Sequence, residues 1–373
     1  MEERAWGKVR AMYDLIVMGG GPAGSSAGIT AARNGARVLL LERGRFPRQK
    51  VCGEFVSAES LGLLDDLLDA NHRALLGDAV RIERTRVFLD DRELQAPVQP
   101  AAASIARLDL DDALWKSAEA VGAETRQQVT VQGVQGSGPF MVSTSAGNFV
   151  ARAVVNSSGR WSNLNPGPPK DGQPRWIGLK GHFGEASPPV SVDLYFFDGG
   201  YCGVQPVDLR ADSTSGRVNA CAMVRADVAS TLPEVFRNDP ALLERSRRWR
   251  QLGDAVSTSP LLFREPRPER DGILMIGDAA CFVDPFVGDG ISLALRSGAL
   301  AAECLVPFFR EKTGLDEATR RYCDEYVRRF GAVFQNSSTI RRMLRLPRVV
   351  RRPVVALLGK APAVTEYLVR KTR

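Results

Sequence analysis

A glycine-rich turn near the start of the chain constrains its fold more than any other stretch. Gly19-Gly20-Gly21-Pro22-Ala23-Gly24 follows the apolar run Leu15-Ile16-Val17-Met18 and precedes small residues through Ser25, Ala27, Ile29 and Ala32. In this G-x-G-x-x-G pattern the glycines let the chain turn tightly, let backbone N–H groups approach a pyrophosphate, and let helix and strand pack closely. The helix N-terminus adds a partial positive charge. A second apolar run, Val38-Leu39-Leu40-Leu41, ends at Glu42-Arg43, near the distance expected for a carboxylate that holds a ribose hydroxyl. Strand, turn, helix, strand and acid in that order predict a βαβ unit that binds a dinucleotide.

A second glycine-rich segment narrows the choice of dinucleotide. Gly277-Asp278-Ala279-Ala280 follows the apolar run Ile273-Leu274-Met275-Ile276, and Asp284-Pro285-Phe286-Val287-Gly288-Asp289-Gly290 then opens an apolar helix at Ile291. This arrangement resembles the distal FAD motif of para-hydroxybenzoate-hydroxylase-like flavoproteins. The resemblance implies FAD as cofactor, Asp278 on its ribityl chain, and Pro285, Gly288, Gly290 and Ile291 beside the isoalloxazine ring. A helix N-terminus there can stabilise negative charge on the reduced ring.

Between these segments, Arg45-Phe46-Pro47-Arg48-Gln49-Lys50-Val51-Cys52-Gly53-Glu54 is similar to the geranylgeranyl reductase branch of the same superfamily. That likeness implies the Cys52-Gly53-Glu54 segment beside the flavin and Arg107, at a helix start, near it. A structural salt bridge is the alternative role for Arg107. Cys52 reads either as a proton donor or ring-tuning thiol, its thiolate favoured by Arg48 and Lys50, or as small buried packing. The segment Gly200-Tyr201-Cys202-Gly203-Val204-Gln205-Pro206 keeps only the Tyr and Pro of that branch's aromatic substrate motif, so the aromatic wall is expected to be partly missing. Where the hydroxylases carry an internal Asp-Gly, this chain has Ser158-Gly159, which leaves direct use of NAD(P)H open. The run Gly277–Pro285 also looks like that of flavin-dependent halogenases, but no two tryptophans form their Trp-x-Trp signature.

The 373 residues fit two joined domains, with 44% hydrophobic and 25% charged residues in an ordinary globular balance. The expected class is α/β with α+β character: a Rossmann-like FAD-binding domain, an inserted substrate domain on a mainly antiparallel sheet, and C-terminal helices. The FAD-binding domain is expected at 1–78, 106–172 and 266–338, the substrate domain at 79–105 and 173–265, and a basic tail at 339–373. Strands are expected at 81–89, 129–134, 140–145 and 149–155, a helix at 108–121, and a β-rich stretch at 176–224. Residues 1–11 read as a disordered extension and 163–172 as a crossing between domains. The cysteines, Cys52, Cys202, Cys221, Cys281, Cys304 and Cys323, read as reduced thiols, and no spacing predicts a metal site. His72 and His182 read as surface or packing residues.

The net charge of +7 is concentrated at the end, since residues 340–373 hold ten Lys/Arg against Glu366, interleaved with apolar residues. Such a tail can lie on an anionic membrane. Alternatively, its apolar residues cap the protein while its arginines are solvated. No nucleic-acid module accompanies the charge, and neither a signal peptide nor a membrane-spanning apolar run is evident, so the expected location is cytoplasmic, peripheral at the inner face of the membrane. The expected activity is monooxygenation, through a flavin C4a-hydroperoxide, of an aromatic, polyketide-like or apolar small molecule. The alternative is carbon–carbon double-bond reduction of a prenyl or other lipid; halogenation and non-catalytic flavin binding rank behind. Cys52, Tyr201 and Arg107 are the expected catalytic residues, with the strand 194–197 lining the pocket and electrons from NAD(P)H or a separate reduced protein.

Overall fold

The computed structural model describes residues 12–160, 175–210, 215–261, 263, 265–344, 346 and 349–353. The expected N-terminal extension, the domain crossing at 163–172 and most of the tail lie outside these residues. The chain enters on β1 (Tyr13–Met18), α1 (Pro22–Arg33) and β2 (Val38–Leu41), then the short β3 (Phe55–Val56), α2 (Leu61–Leu67) and α3 (Ala74–Gly77). The hairpin β4 (Val80–Leu89) and β5 (Arg92–Ser104) leads to α4 (Arg107–Ala120), β6 (Glu124–Arg126), β7 (Val131–Gln135), β8 (Phe140–Thr144) and β9 (Gly147–Asn156).

The inserted stretch runs through β10 (Trp176–Glu185), β11 (Val192–Phe197), β12 (Gly200–Asp208), β13 (Gly216–Arg225), α5 (Leu232–Phe236), α6 (Pro240–Ser246) and β14 (Arg250–Thr258). It returns to β15 (Glu269–Arg270), β16 (Ile273–Met275), α7 (Gly290–Phe309) and α8 (Leu315–Leu344).

The strands form two sheets. The first has the order β15-β16-β9-β1-β2-β6 with the β7–β8 hairpin branching from β9, and its central pairs are parallel. β1 is buried on both faces, Leu15 and Val17 toward the helices and Ile16 and Met18 toward the β7–β8 hairpin side, as a parallel strand covered twice requires. The second sheet, β14-β10-β13-β12-β11-β4-β5-β3, is antiparallel except where β11 runs parallel to β4. This is the mixed architecture expected from the sequence.

α7 is the apolar core helix of the first unit. It is long and apolar enough to cross a membrane, yet two-thirds of it is buried, against α1 and α8. Close approach to α1 depends on glycine, because a Cβ at Gly298 would lie 2.2 Å from the Ala23 carbonyl oxygen. α8 buries Tyr322, Tyr326, Phe330 and Val333, a spacing of three to four that makes one stripe, and Tyr322 Oη donates to the Met275 carbonyl at 2.7 Å.

Strand alternation divides the second sheet into two functional faces. Leu179, Phe183, Tyr195 and Phe197 point toward α5 and α6, where Trp249 stacks on Phe183 and Phe236 meets it edge-on. Lys180, His182, Asn219, Cys221 and Tyr201 occupy the opposite face, toward the glycine-rich segments. Full burial of each large apolar side chain in such a layer contributes about 1.5–3 kcal/mol.

Candidate active site

The first glycine-rich turn forms an open cradle at the start of α1. Gly19 has φ +115°, a conformation that favours glycine. A Cβ at Gly24 would come within 1.8 Å of the Gly19 carbonyl oxygen, and one at Gly20 within 2.3 Å of the Trp115 ring. At Gly21, by contrast, the nearest atom to an added Cβ is Arg107 Nη2 at 3.9 Å, so the space before the helix N-terminus is free. Pro22 and Ala23 begin α1 itself.

Glu42, at the end of β2, accepts from Gly20 N at 2.9 Å, Gly44 N at 2.7 Å and Arg48 Nη2 at 3.0 Å. Burial alone would raise its carboxyl, but Arg48 and these N–H groups hold it below the ordinary value. Arg43 is exposed beside it. Lys50 lies near Glu42, Arg48, Arg107 and Asp111, and burial together with the two arginines pushes its amine down to about 8. Arg48 and Lys50 therefore serve the Glu42 side of the cradle. The cation that faces the Cys52 thiol is Arg107, which differs from the sequence expectation.

Arg107 begins α4 and makes a bidentate pair with Asp111, 2.7 Å to each carboxylate oxygen. Burial disfavours its charge, but Asp111 and Cys52 more than offset this and leave the guanidinium firmly protonated. The salt-bridge alternative and a place at the cradle thus hold for one side chain. Cys52 Sγ accepts from Glu54 N at 3.4 Å, and Asn219 Nδ2 donates to the Cys52 carbonyl at 2.9 Å. Among the described residues beyond its chain neighbours, Gly53 has nothing within 4 Å of where a Cβ would stand.

The distal motif lies against this segment. Ser57 Oγ donates to Asp289 Oδ1 at 2.8 Å and lies 2.6 Å from Ser292 Oγ, while a Cβ at Gly288 would meet the Phe55 ring at 3.0 Å. Pro285 opens a short 3-10 turn ending at Gly288, whose φ is +78°. Gly290 then begins α7 with open space around it, and Ile291 is buried in the first turn. Asp278 stands 3.5 Å from Arg160 Nη1 at the start of the preceding turn. The structure therefore brings Gly19–Gly24, Cys52–Ser57, Arg107 and the Asp284–Gly290 loop to one region.

Tyr201 closes that region on the sheet side. Its ring centroid lies 5.5 Å from Phe196 and 5.9 Å from Phe286, and the cluster extends through Met223 and Leu261 to Trp176, Phe263 and Phe282. Burial pushes the Tyr201 phenol well above its ordinary value and keeps it protonated. An aromatic wall is therefore present, assembled from segments other than the one motif in which it was expected. The 194–197 strand contributes only Phe196 to it. Tyr195 points away, stacks on Phe88 at 4.4 Å and accepts from Arg245.

Sequence reasoning placed Glu54 in the segment beside the flavin but missed the partners, Lys180, His182 and Asn219, that hold this segment. Glu54 is fully buried; its carboxylate accepts from Lys180 Nζ and from Arg107 N at 2.8 Å, and lies 2.8 Å from His182 Nε2. Burial would raise this carboxyl, but the His182 hydrogen bond and the Lys180 charge outweigh it and keep Glu54 ionised. His182 is thus part of an ion network and not a packing residue. The one sequence signal was a Lys and a His two apart in an otherwise apolar strand.

The C-terminal arginines also depart from expectation. Arg341 pairs with Asp284 at 3.1 Å and covers the Phe263 ring, Arg351 forms a bidentate pair with Asp90, and Arg352 reaches Asp91. Met343, Leu346, Val349 and Val350 are exposed. In the described part of the tail, arginines pin the chain down while apolar residues face outward.

Open-faced glycines at Gly21, Gly53 and Gly290, a carboxylate at the end of β2 and half-buried cations beside them suit a pyrophosphate-linked dinucleotide with its ring at the α7 N-terminus. The family model described as FAD dependent oxidoreductase matches residues 14–71. Digeranylgeranylglycerophospholipid reductase 2 of Methanopyrus kandleri is 28% identical over 87% of this chain and 84% of its own length. A solved flavin-dependent brominase superposes with TM-score 0.77 at 20% identity, covering 97% of this chain and 93% of the brominase. A geranylgeranyl bacteriochlorophyll reductase-like protein from Thermoplasma acidophilum superposes with TM-score 0.73 at 19% identity, covering 97% and 95%.

Proposed function

We propose that this chain, an FAD-dependent oxidoreductase, reduces a carbon–carbon double bond in an apolar, prenyl-like lipid. The observation that carries the reading is the aromatic wall around Tyr201, which faces the same space as Cys52, Arg107 and the α7 N-terminus. When bound, FAD supplies a hydride to one carbon of the double bond. Tyr201 holds, at its phenol oxygen, the proton that the other carbon requires. Phe196, Phe286, Phe263 and Phe282 seat the chain and exclude water. Arg107 and the α7 N-terminus favour negative charge on the cofactor. NAD(P)H or a reduced partner protein provides the electrons.

Oxygen transfer to an aromatic, polyketide-like or apolar molecule is the second reading, favoured by the water exclusion that the same wall provides. Halogenation ranks lower, because no two tryptophans of the chain form a Trp-x-Trp pair. Dithionite-reduced protein incubated without oxygen with a polyprenyl lipid separates the readings. Gain of two hydrogens in the lipid supports reduction. Turnover that appears only with oxygen, and adds an oxygen atom, overturns it in favour of the second reading.

The exposed Met343, Leu346, Val349 and Val350, in a segment rich in arginine, support docking of the tail on an anionic bilayer from which such a lipid is drawn. Co-sedimentation with anionic but not neutral vesicles at low salt is the expected result; no binding to either refutes the docking.

A further inference from the structure

Glu54 is a non-glycine residue at φ +63°, with no exposed surface, that binds elements of both sheets' units at once. Its carboxylate meets Lys180 and His182 on β10 and the backbone N–H of Arg107 at the start of α4. Its own N–H donates to Cys52 Sγ, and its carbonyl accepts from Ile105 N at 2.9 Å. Asn219, directly opposite His182 in the β10–β13 ladder, holds the Cys52 carbonyl from the same face.

A buried ion pair is a poor device for stability, since well-packed apolar residues of similar size serve as well or better. A left-handed backbone at a non-glycine residue adds strain that its surroundings must hold in place. Both features cost stability, and both act to fix one short segment.

We infer that Glu54 is a positioning residue: with Lys180, it ties the Cys52–Glu54 segment and the Arg107 helix start to the substrate sheet, and so sets where the Cys52 thiol and the Arg107 guanidinium stand toward the cofactor. The inference rests on the proposed placing of Cys52 and Arg107 at the flavin. Substrate-sheet geometry and cofactor electrostatics are then coupled through one carboxylate. Glu54 itself performs no chemistry.

The test compares full-length wild type, Glu54→Gln, and the double variant Glu54→Gln/Lys180→Met, each with and without FAD. Thermal unfolding, FAD affinity by flavin fluorescence, and the rate of Cys52 alkylation by iodoacetamide, read by peptide mass spectrometry, are measured for each. Glu54→Gln leaves the Lys180 charge buried without its partner and is expected to lower the melting temperature. The double variant removes both charges and is expected to recover it. Cys52 alkylation is expected to accelerate about tenfold in both variants, the factor set by losing one charge-assisted hydrogen bond, with FAD bound more weakly in both.

Recovery of slow alkylation and tight FAD binding together with stability in the double variant would overturn the inference, because it would show a structural role alone. Unchanged alkylation in Glu54→Gln would do the same. If Glu54→Gln fails to fold, the double variant decides by the same two readouts. No substrate is used, so the wrong choice of reaction leaves the result intact. A protein that binds no FAD refutes the proposed function, while the alkylation rates still test the tie.

Discussion

Gly21→Ala separates cofactor binding from folding. At Gly21 the backbone is at φ −73° and extended, open to any residue, and among the described residues beyond its chain neighbours the nearest atom to the new methyl is Arg107 Nη2 at 3.9 Å. Gly21 caps α1 without a side-chain hydrogen bond, so alanine there costs the cofactor-free protein under about 1 kcal/mol. The methyl projects into the space before the helix N-terminus where the pyrophosphate would lie. Overpacking of about 1–3 kcal/mol at that contact corresponds to FAD affinity about 5- to 150-fold weaker. Gly24→Ala is the contrasting variant: its methyl meets the Gly19 carbonyl oxygen at 1.8 Å and Ser157 Oγ at 2.5 Å, so the protein itself is destabilised before any cofactor arrives. Thermal unfolding without FAD and fluorescence titration with FAD give the two quantities. Gly21→Ala protein that binds FAD as tightly as wild type would show that the open space is not the pyrophosphate site, and the reasoning would fail.

Tyr201→Phe removes the proposed proton donor and keeps the ring, so kcat is expected to fall about 10²- to 10⁴-fold with KM and the bound-flavin spectrum unchanged; an unaltered kcat assigns the proton elsewhere. Lys50 has a native value of about 8 against the ordinary value of about 10.4, so from pH 8 upward the native protein has lost a proton that the unfolded chain keeps, and stability without FAD rises with pH over that window. A pyrophosphate favours the ammonium form, so FAD affinity is expected to decline over the same window; Lys50→Met should flatten both slopes in unfolding and titration series. Val349, 84% exposed, can become Asp with no change in melting temperature, while sedimentation with anionic vesicles is expected to drop; undiminished binding would locate the contact elsewhere.

The fold was legible wherever the signal is local. A strand, a glycine turn, a helix and a terminal acid all lie between Tyr13 and Glu42, and each half of the FAD-motif pair can be read from adjacent residues. The helix expected at 108–121 begins one residue earlier, at Arg107, where a half-buried side chain paired with Asp111 makes a polar residue part of the first turn. In the strand 194–197 an aromatic composition suggests a single pocket-lining face, but alternation splits it. Side chains on a strand point to opposite faces in turn, so Tyr195 and Phe197 belong to the layer under α5 and α6 while Phe196 belongs to the site. The aromatic wall was missed for the converse reason: Trp176, Phe263, Phe282 and Phe286 are distant in sequence from Tyr201, and only the closing of the sheet over the distal loop brings them together.

The same distance hid the charges that organise the site. Arg48 and Lys50 are near Cys52 in sequence, which made them the obvious cations for its thiol; yet the β2 end claims Arg48 through Glu42, and Arg107 faces the sulfur instead. Glu54 is next to Cys52 but one, and nothing in its neighbourhood says that its partners are Lys180 and His182, 126 and 128 residues away. A buried carboxylate is costly unless cations come to it. Because those cations come from the inserted sheet, the cofactor-side segment can reach its final form only once that sheet is in place. That dependence gives the insert a part in the site itself, since it completes the polar surroundings of Cys52 and Arg107.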